Sequence, residues 1–512
     1  VIRSFYSPHT FYYFALGVHH PPDVRLSFCM IMKNKQTFQE LVQGRYGRKI
    51  AYTDYEQVTE ANVLQILGDT IGTFTLNKPV IKYLWDYKNG DQPVLYRTKT
   101  VRDAIINKIV ENHAWEIVRF KNAQTYGEPV QLISLSDDDR INEAVDKLND
   151  YFRASGKELK DINSGEWTSA VGTGFKAMQK KDGDVPFRIT TPTPMNTYIV
   201  YCRQTEEPVL AVQELKDNNG NIYYLCFSDT HEYRIQNSAL LPVQLPDGSW
   251  VNSRLHAYGG IPIIEYPNNQ DRISDIELVI SMLDAINTMQ SNRMDGVEQF
   301  VQSWVKFINC EVDEDSFLNM KMMGALVVKS NNAENKADVD VMSQELNQTE
   351  AQVAKDDLWD NVLAIEGIPS REISSGGGDT QGAVSLRNGW DVSKQAARIK
   401  DAYIKIGDKR LAMLVANRIR IVTGNDLRLG VMDFDVQISH SPLDNLMTKV
   451  EALKMLLEAG IHPLVALKTS GLWADAEKTF IMSKPYLDAI YETVDDVAAQ
   501  EQKAKELMDD NG

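Results

Sequence analysis

Two stretches of the chain, and its scattered histidines, carry residue types that could do chemistry. Asp137-Asp138-Asp139 gathers three carboxylates, a set that could hold a divalent cation. The cluster also stands where a helical pattern opens after Ser136. There Ser136 caps the helix and the acids complement its positive end, which is the preferred explanation. The run Ser374, Ser375, Gly376, Gly377, Gly378, Asp379, Thr380 has enough glycine to wrap a phosphate, but no Gly-Lys-Ser/Thr follows it, so it fails as a phosphate cradle. A mobile loop fits it, because glycine removes side-chain bulk and widens the accessible φ/ψ; an ordinary surface loop is the alternative. His9, His19, His20, His113, His231, His256, His440 and His462 form no His-Glu-x-x-His or His-x-Glu pattern, and no Gly-x-Ser-x-Gly elbow occurs. The residues therefore describe a protein that is not an enzyme, with no catalytic residue, metal or cofactor.

Composition narrows the class further. A chain of 512 residues suffices for about two to four domains. Its net charge of −17 argues against a tight clamp on nucleic acid, which needs basic patches, but leaves room for contact with DNA where sticking is unwanted. Cys29, Cys202, Cys226 and Cys310 lie far apart with no Cys-x-x-Cys pair, which argues against a disulfide framework or zinc ribbon and for a reducing compartment. No run of about 18 apolar residues exists, so no membrane span is expected. Residues 1–35 differ from the rest. They are aromatic and basic up to Met32, with His19-His20-Pro21-Pro22 in the middle and no signal-peptide core or cleavage site. An upstream extension with Met30 or Met32 as the natural start is the preferred reading, and a poorly ordered arm is the other.

The elements that would position these residues follow from period and punctuation. Ala61–Leu67 and Val101–Phe120 read as helices, Gln92–Tyr96 and Pro129–Ile133 as strands, and the segment after Ser136 as a helix carrying Ile141, Val145, Leu148 and Phe152. Between Pro186 and Tyr266 the texture is antiparallel β, with runs at Tyr198–Tyr201, Val209–Leu215, Ile222–Phe227 and Tyr233–Ile235 and turns at Asn218-Asn219-Gly220 and Asp247-Gly248. Ser274 and Glu277 form a capping box, with Ile273 stapled on Leu278, at the head of a helix of about 30 residues and about 45 Å. Val305–Val312, Ala325–Lys329 and Val339–Met342 read as strands around a short helix at Asp315–Met322. A helix over Thr349–Glu366 then ends at Gly367 and Pro369. A long helical pattern from Gln381 to Thr423 is interrupted by Gly389 and Gly407. One strand, Phe434–Ser439, precedes helices at Met447–Ala459, before Gly471 and at Lys484–Met508.

This order, in this wording, resembles the portal proteins of tailed bacteriophages, and most of all those of siphoviruses infecting Gram-positive bacteria. The phrases that carry the likeness are Tyr87-Lys-Asn-Gly90-Asp-Gln-Pro-Val94, Asn112-His-Ala114 with Tyr126-Gly-Glu-Pro-Val130, and Gly260-Ile-Pro262 with Asn268-Asn269. Ser274-Asp275, Leu283-Asp284-Ala285 with Asn287 and Ser291, and Gly382-Ala383-Val384-Ser385-Leu386 complete the set. The likeness runs from about residue 45 to the end and excludes the first thirty residues.

The resemblance implies a multidomain α+β protein assembled as a ring of about twelve copies at one capsid vertex. It implies a wing over 36–272, stem helices over 273–302 and 346–367, and a clip over 303–345. A tunnel loop would cover 368–380, a long bent helix returning to the wing 381–440, and a helical crown 441–512. Double-stranded DNA would pass through the ring during packaging and ejection. Its partners would be a large terminase, a head–tail adaptor, and scaffolding and major capsid proteins, and its place the virion after assembly in the host cytoplasm. Clip docking would fall on Glu311, Asp313, Glu314 and Asp315, and the DNA channel on the loop Ser374–Thr380.

The stem segments suit such a conduit by charge. Asp275, Glu277, Asp284, Asp295 and Glu298 face only Arg293, and Glu350, Asp356, Asp357, Asp360 and Glu366 face only Lys355. Carboxylates lining a lumen repel phosphate and shorten its residence, so Asp284, Asp295, Glu298, Asp356 and Asp360 are the candidate channel residues; solvated outer faces are the alternative. The helix from Gln381 is basic instead. Pairing of its cations with acids of the same or the next subunit is preferred to a ring of DNA contacts. A nucleic-acid-processing subunit, nuclease or motor, is the alternative function, weakened by the missing phosphate loop. A non-viral scaffold with long interaction helices is the third.

Overall fold

The computed structural model describes residues 37–99, 104–136, 138–301, 304–308, 310–311, 329–330, 338–342, 348–369, 389–424, 427–440, 446–470, 472–473, 476 and 479–486. In chain order its helices are α1 (Phe38–Val42), α2 (Val63–Lys88), α3 (His113–Tyr126), α4 (Asp139–Ser155), α5 (Lys157–Val171), α6 (Ile280–Val301), α7 (Gln348–Glu366), α8 (Trp390–Thr423), α9 (Leu446–Glu458) and α10 (Pro463–Ser470). The strands are β1 (Ala51–Thr53), β2 (Gln131–Ser134), β3 (Thr173–Lys180), β4 (Phe187–Thr190), β5 (Thr197–Cys202), β6 (Pro208–Lys216), β7 (Ile222–Phe227), β8 (His231–Gln236) and β9 (Ala239–Leu240). They continue with β10 (Val243–Gln244), β11 (Trp250–Val251), β12 (Ser253–Leu255), β13 (Ile263–Pro267), β14 (Trp304–Ile308), β15 (Cys310–Glu311), β16 (Lys329–Ser330), β17 (Asp338–Met342) and β18 (Phe434–Gln437). The chain divides into two compact units, one of Val1–Asn122, Asn163–Ala177 and Thr190–Ile404, the other of Ala123–Ile162, Met178–Ile189 and Lys405–Gly512.

The first unit is organised around a sheet in the order β1-β5-β6-β7-β8-β12, with β9 beside β8. The expected runs form β5 to β8 and pair antiparallel, and only β1 joins β5 in parallel. Both faces are covered, which explains near-continuous apolar runs in place of alternation. Val200, Leu210, Val212 and Cys226 pack with Val63, Ile66 and Phe74 of α2 on one face. Ile199, Ala211 and Phe227 pack with Phe175, Ala177 and Ile263 on the other. The Asn218-Asn219-Gly220 turn closes β6 onto β7 with Gly220 at φ +83°, and Asp247-Gly248 closes β10 onto β11.

Several helices depart from expectation. The stretch expected to end at Leu67 continues to Lys88 through Pro79, although proline has no N–H to donate. Tertiary burial overrides the break, because Ile81, Leu84 and Tyr87 beyond the proline lie in a second cluster with Ile276, Val279, Ile280, Leu283 and Ile286. Pro93–Tyr96 forms a 3-10 turn and not a strand. The helix expected from Val101 begins only at His113, and residues 105–112 belong to neither helix nor strand. The strut after Ser274 is shorter than expected: 275–279 is turn and α6 has 22 residues. Half of the capping box forms, since Ser274 N donates to Glu277 Oε2 at 3.0 Å while Ser274 Oγ accepts from Ile276 N. The staple does not form, because Leu278 is exposed. Gly389 lies just before α8 at φ +79°, but Gly407 is buried inside an unbroken helix and interrupts nothing.

In the second unit β18 pairs antiparallel with β2, from Phe434↔Ser134 to Gln437↔Gln131. Asn149 of α4 brackets Leu132, accepting from its N–H at 3.0 Å and donating to its carbonyl at 2.8 Å. The cap of α4 is Asp138 and not Ser136; its side chain accepts from Arg140 N, and Ser136 Oγ accepts from Asp138 N one step earlier. Buried Lys157 lies between Asp161 at 2.6 Å and Asp408 at 2.7 Å. Of the expected strands around 305–342, β14 pairs with β17 and β15 with β16. The short helix at 315–322, most of the strand at 325–329, residues 1–35 and most of the terminal helix fall outside the described residues.

One close approach fixes where β13 ends and α6 begins. Gly172, at φ +88°, lets the Arg272 carbonyl come so near that a Cβ there would lie 1.9 Å from its oxygen. Gly172→Ala is therefore predicted to lower the unfolding free energy of the protein by about 3 kcal/mol in chemical denaturation, through clash and backbone strain together.

Candidate functional site

Helix α6 buries a polar stripe. Asp284, Asn287, Ser291, Asp295 and Glu298 recur at helical spacing, and Asn287, Ser291 and Asp295 are each at most 2% exposed. Such groups need partners, and the segment 105–111, outside any helix or strand, supplies them from its backbone. Glu111 N donates to Asn287 Oδ1 at 2.8 Å, Ile109 N to Ser291 Oγ at 3.0 Å and Asn107 N to Asp295 Oδ1 at 2.6 Å. The periods match: two extended residues span about 6.6 Å and four helical residues about 6 Å, so every second strap amide meets the next turn of α6. The expected helix from Val101 is lost for this reason, because its amides are committed to side chains of another helix.

Asp295 is the anchor of the strap. Arg97 Nη2 donates to it at 2.8 Å, Lys99 Nζ also donates, and Asn107 Nδ2 adds a bond at 2.9 Å. Burial opposes its charge, but the Lys99 and Asn107 bonds hold its carboxyl below the ordinary range. Nearer the base, Tyr87 OH donates to Asp284 Oδ1 at 2.9 Å. Asn287 Nδ2 donates to Gln92 Oε1 at 2.5 Å, and Gln92 Nε2 to Asn112 Oδ1 at 3.1 Å. Three of the phrases that carry the family likeness thus meet at one junction.

Helix α7 runs beside α6 in the opposite direction. Arg293 Nη1 donates to Gln352 Oε1 at 2.5 Å near the start of α7, and Val362 near its end shares a cluster with Leu283 and Ile286. His113 stacks on Trp359 with centroids 3.9 Å apart, and Lys355 pairs with Glu111 at 2.8 Å. The acids of the two helices and of the turn before α6 divide. Asp275, Glu277, Asp284, Asp295 and Glu366 point inward to named donors, with Glu277 on buried Arg48 at 2.5 Å. Glu298, Glu350, Asp356, Asp357 and Asp360 are exposed. Of the expected channel residues, Asp295 and Asp284 are therefore bracing groups, buried and half-buried, while Glu298, Asp356 and Asp360 reach solvent.

The far end of α7 is held by a compact charge cluster. Asp275 accepts from Ser169 Oγ at 2.5 Å and Asn268 Nδ2 at 2.7 Å and faces Lys400 at 3.4 Å. Lys121 donates to the Glu366 carbonyl and lies 3.6 Å from its carboxylate. Burial, then the Asp275 charge, pushes the Glu366 carboxyl up to about 8. Sequence reasoning missed Arg48, Gln92, Asn107, Lys121 and the strap itself, since nothing local marks a donor whose acceptor lies far along the chain. The basic α8 behaves as preferred where described: Lys400 pairs with Asp275, and Lys405 and Lys409 with Asp435. The loop Ser374–Thr380 and Asp313, Glu314 and Asp315 lie outside the described residues, as does the side chain of Glu311. Among the described residues no group of three or more His, Cys, Asp or Glu is placed to hold a metal, and no helix is long and apolar enough to cross a membrane.

Two outcomes follow from the charges. Asp295→Ala strands Lys99 and Arg97 and is predicted to destabilise the protein by about 3–5 kcal/mol in denaturant titration, against about 1 kcal/mol for Ser291→Ala. Glu366 has a raised folded pKa, so its contribution is fully present below its ordinary value of 4.5 and is lost as pH rises to about 8. Glu366→Gln should therefore raise the melting temperature at pH 9 and change it little at pH 4.5; a larger gain at the acid end contradicts the assignment.

Residues 70–464 match the family described as Phage portal protein, SPP1 Gp6-like. No curated protein sequence matches the chain. Among solved structures, the neck of an empty GTA particle computed with C6 symmetry is similar at 10% identity, over 70% of this chain and 90% of that one, with a TM-score of 0.40. The virion of a native gene transfer agent particle gives 11% identity, 79% and 93% coverage and 0.40. The neck of a native GTA particle computed with C12 symmetry gives 12%, 70% and 89%, and 0.39. Similarity this low carries no argument about function or copy number. The family match spans well over half of the 512 residues, and the chain belongs to the phage portal protein family.

Proposed function

We propose that this portal protein works as a closed ring of about twelve copies at one capsid vertex, of the type found in siphoviruses of Gram-positive bacteria. Double-stranded DNA enters and leaves through its hole. The observation that carries the reading is the antiparallel pair α6 and α7, whose acids are sorted: the inward ones are paired or hydrogen-bonded, while Glu298, Asp356 and Asp360 remain exposed, Glu298 also accepting from Asn107. Exposed carboxylates along a lumen keep a polyanion moving, because they supply no counter-charge for phosphate to settle on. The pair forms the stem, 303–345 the clip, 368–380 the tunnel loop, 381–440 the long helix returning to the wing, and 441–512 the crown.

Glu311, Asp313, Glu314 and Asp315 dock the large terminase during filling and the head–tail adaptor afterwards, while scaffolding and major capsid proteins contact the outside of the ring. Assembly takes place in the host cytoplasm and the product stays in the virion. The ring has no catalysis of its own; the energy for packaging comes from the terminase. Negative-stain electron microscopy of the purified protein should show rings with a hole wide enough for a duplex. A protein that stays monomeric at every concentration, or that cleaves DNA or hydrolyses ATP alone, contradicts the reading. Inserting Pro-Pro between Gly376 and Gly377 should block genome packaging while rings still assemble, and normal packaging by that variant removes the tunnel-loop role.

A further inference from the structure

Helix α8 exposes a seam. Val392, Gln395, Ile399, Ala402 and Ile406 recur at alternating spacings of three and four residues and all reach solvent, with Val392 at 64%, Ile399 at 72% and Ile406 at 56% exposure. The opposite side of the same helix is buried, at Ser393, Ala397, Asp401, Ile404, Asp408 and Leu411. A surface helix turns one apolar stripe inward; α8 carries a second one outward. Its seven-residue repeat is that of a helix packed along another helix. Ile399 alone, at that exposure, is a side chain a soluble surface seldom leaves in water within such a row.

Ring symmetry restricts what can cover the seam. In a cyclic assembly of more than two copies every contact is head-to-tail, so a patch meets a different patch of the next copy and not itself. The outward half of α7 fits. Viewed down the helix at 3.6 residues per turn, Asp356 and Asp360 form one edge, Val353, Ala364 and Asp357 the centre, and Ala354 and Ile365 the other edge. Val353 and Ile365 are 63% and 50% exposed. The charges are opposite in sign: α8 carries Arg398 exposed at the edge of its seam and is basic overall, whereas α7 has five acids, Glu350, Asp356, Asp357, Asp360 and Glu366, against Lys355.

We propose that the α8 seam receives the α7 helix of the adjacent copy, with Val353, Ala354 and Ile365 against Val392, Ile399 and Ile406 and with Arg398 toward Asp357. This rests on the ring reading above. It leaves Asp356 and Asp360 on the uncovered edge of α7, facing the lumen.

The test uses assembled full-length rings carrying p-benzoylphenylalanine in place of Ile399, made from mixed light and heavy-nitrogen subunits. After irradiation, mass spectrometry should find cross-links between copies that end within residues 348–366. Cross-links within one chain, for example to 367–389 or 487–512, overturn the proposal, as do cross-links to another surface of the neighbour. As an independent check, Ile399→Asp should keep the circular dichroism and melting profile of the free subunit and cut the ring fraction at least tenfold. Undiminished rings from that variant overturn this interface alone. A wild-type chain that never forms rings removes the ring reading and the interface together.

Discussion

A helix that buries polar side chains must be given partners, and α6 is built on that requirement. Asn287, Ser291 and Asp295 point into protein and not into water. Without the strap 105–111, Asn287 Oδ1, Ser291 Oγ and Asp295 Oδ1 would each lose a backbone donor, which is costly for buried acceptors. The strap is equally dependent, because its alternate amides have no strand or helix of their own to pair with. Each element thus satisfies the other, and the match between helical and extended periods lets one segment serve three turns. Gln92 and Asn112 tie the lower end of this arrangement to α2 and α3.

The same arrangement sorts charge. The stem role proposed for α6 and α7 would need rigidity and a repellent surface, and both draw on carboxylates. In α6, α7 and the turn 275–279 the inward acids provide fixation: Glu277 on Arg48, Asp295 on Arg97 and Lys99, and Asp275 and Glu366 among Lys121 and Lys400. The outward acids have few local cations, so their field reaches solvent. The net charge of −17 is therefore a poor guide by itself, since part of it is cancelled inside the fold. Glu366 joins the two roles. It closes α7 immediately before Gly367 and is held where two acids and two lysines compete.

How much of this was legible in the sequence depends on range. The sheet was legible because β5 to β8 follow one another and their turns carry Asn-Gly and Asp-Gly signals. The helices α6 and α7, the strand β18 and the helix α9 were legible from period and from glycine stops. What failed depended on distant partners. Val101–Phe120 has a helical period, but only its part from His113 is helix, because the amides of Asn107, Ile109 and Glu111 bond to α6. Val63–Lys88 contains Pro79 but continues because its far half is buried. Asp295 and Asp284 look like any exposed acid until Arg97, Lys99 and Tyr87 are placed beside them. The family phrases were informative for the same reason: Tyr87–Val94, Asn112–Ala114 and Leu283–Ser291 are wordings of one hydrogen-bonded junction.

Helix α6 and the strap 105–111 form one mechanical unit. Native-state amide hydrogen exchange measures it most directly, at the N–H groups of Asn107, Ile109 and Glu111, which lie outside any regular helix or strand. The account predicts that these three amides exchange as slowly as the central amides of α6, and through the same opening event. Exchange at the rate of an unstructured loop, while α6 stays protected, would show that the helix stands without its strap and would contradict the account.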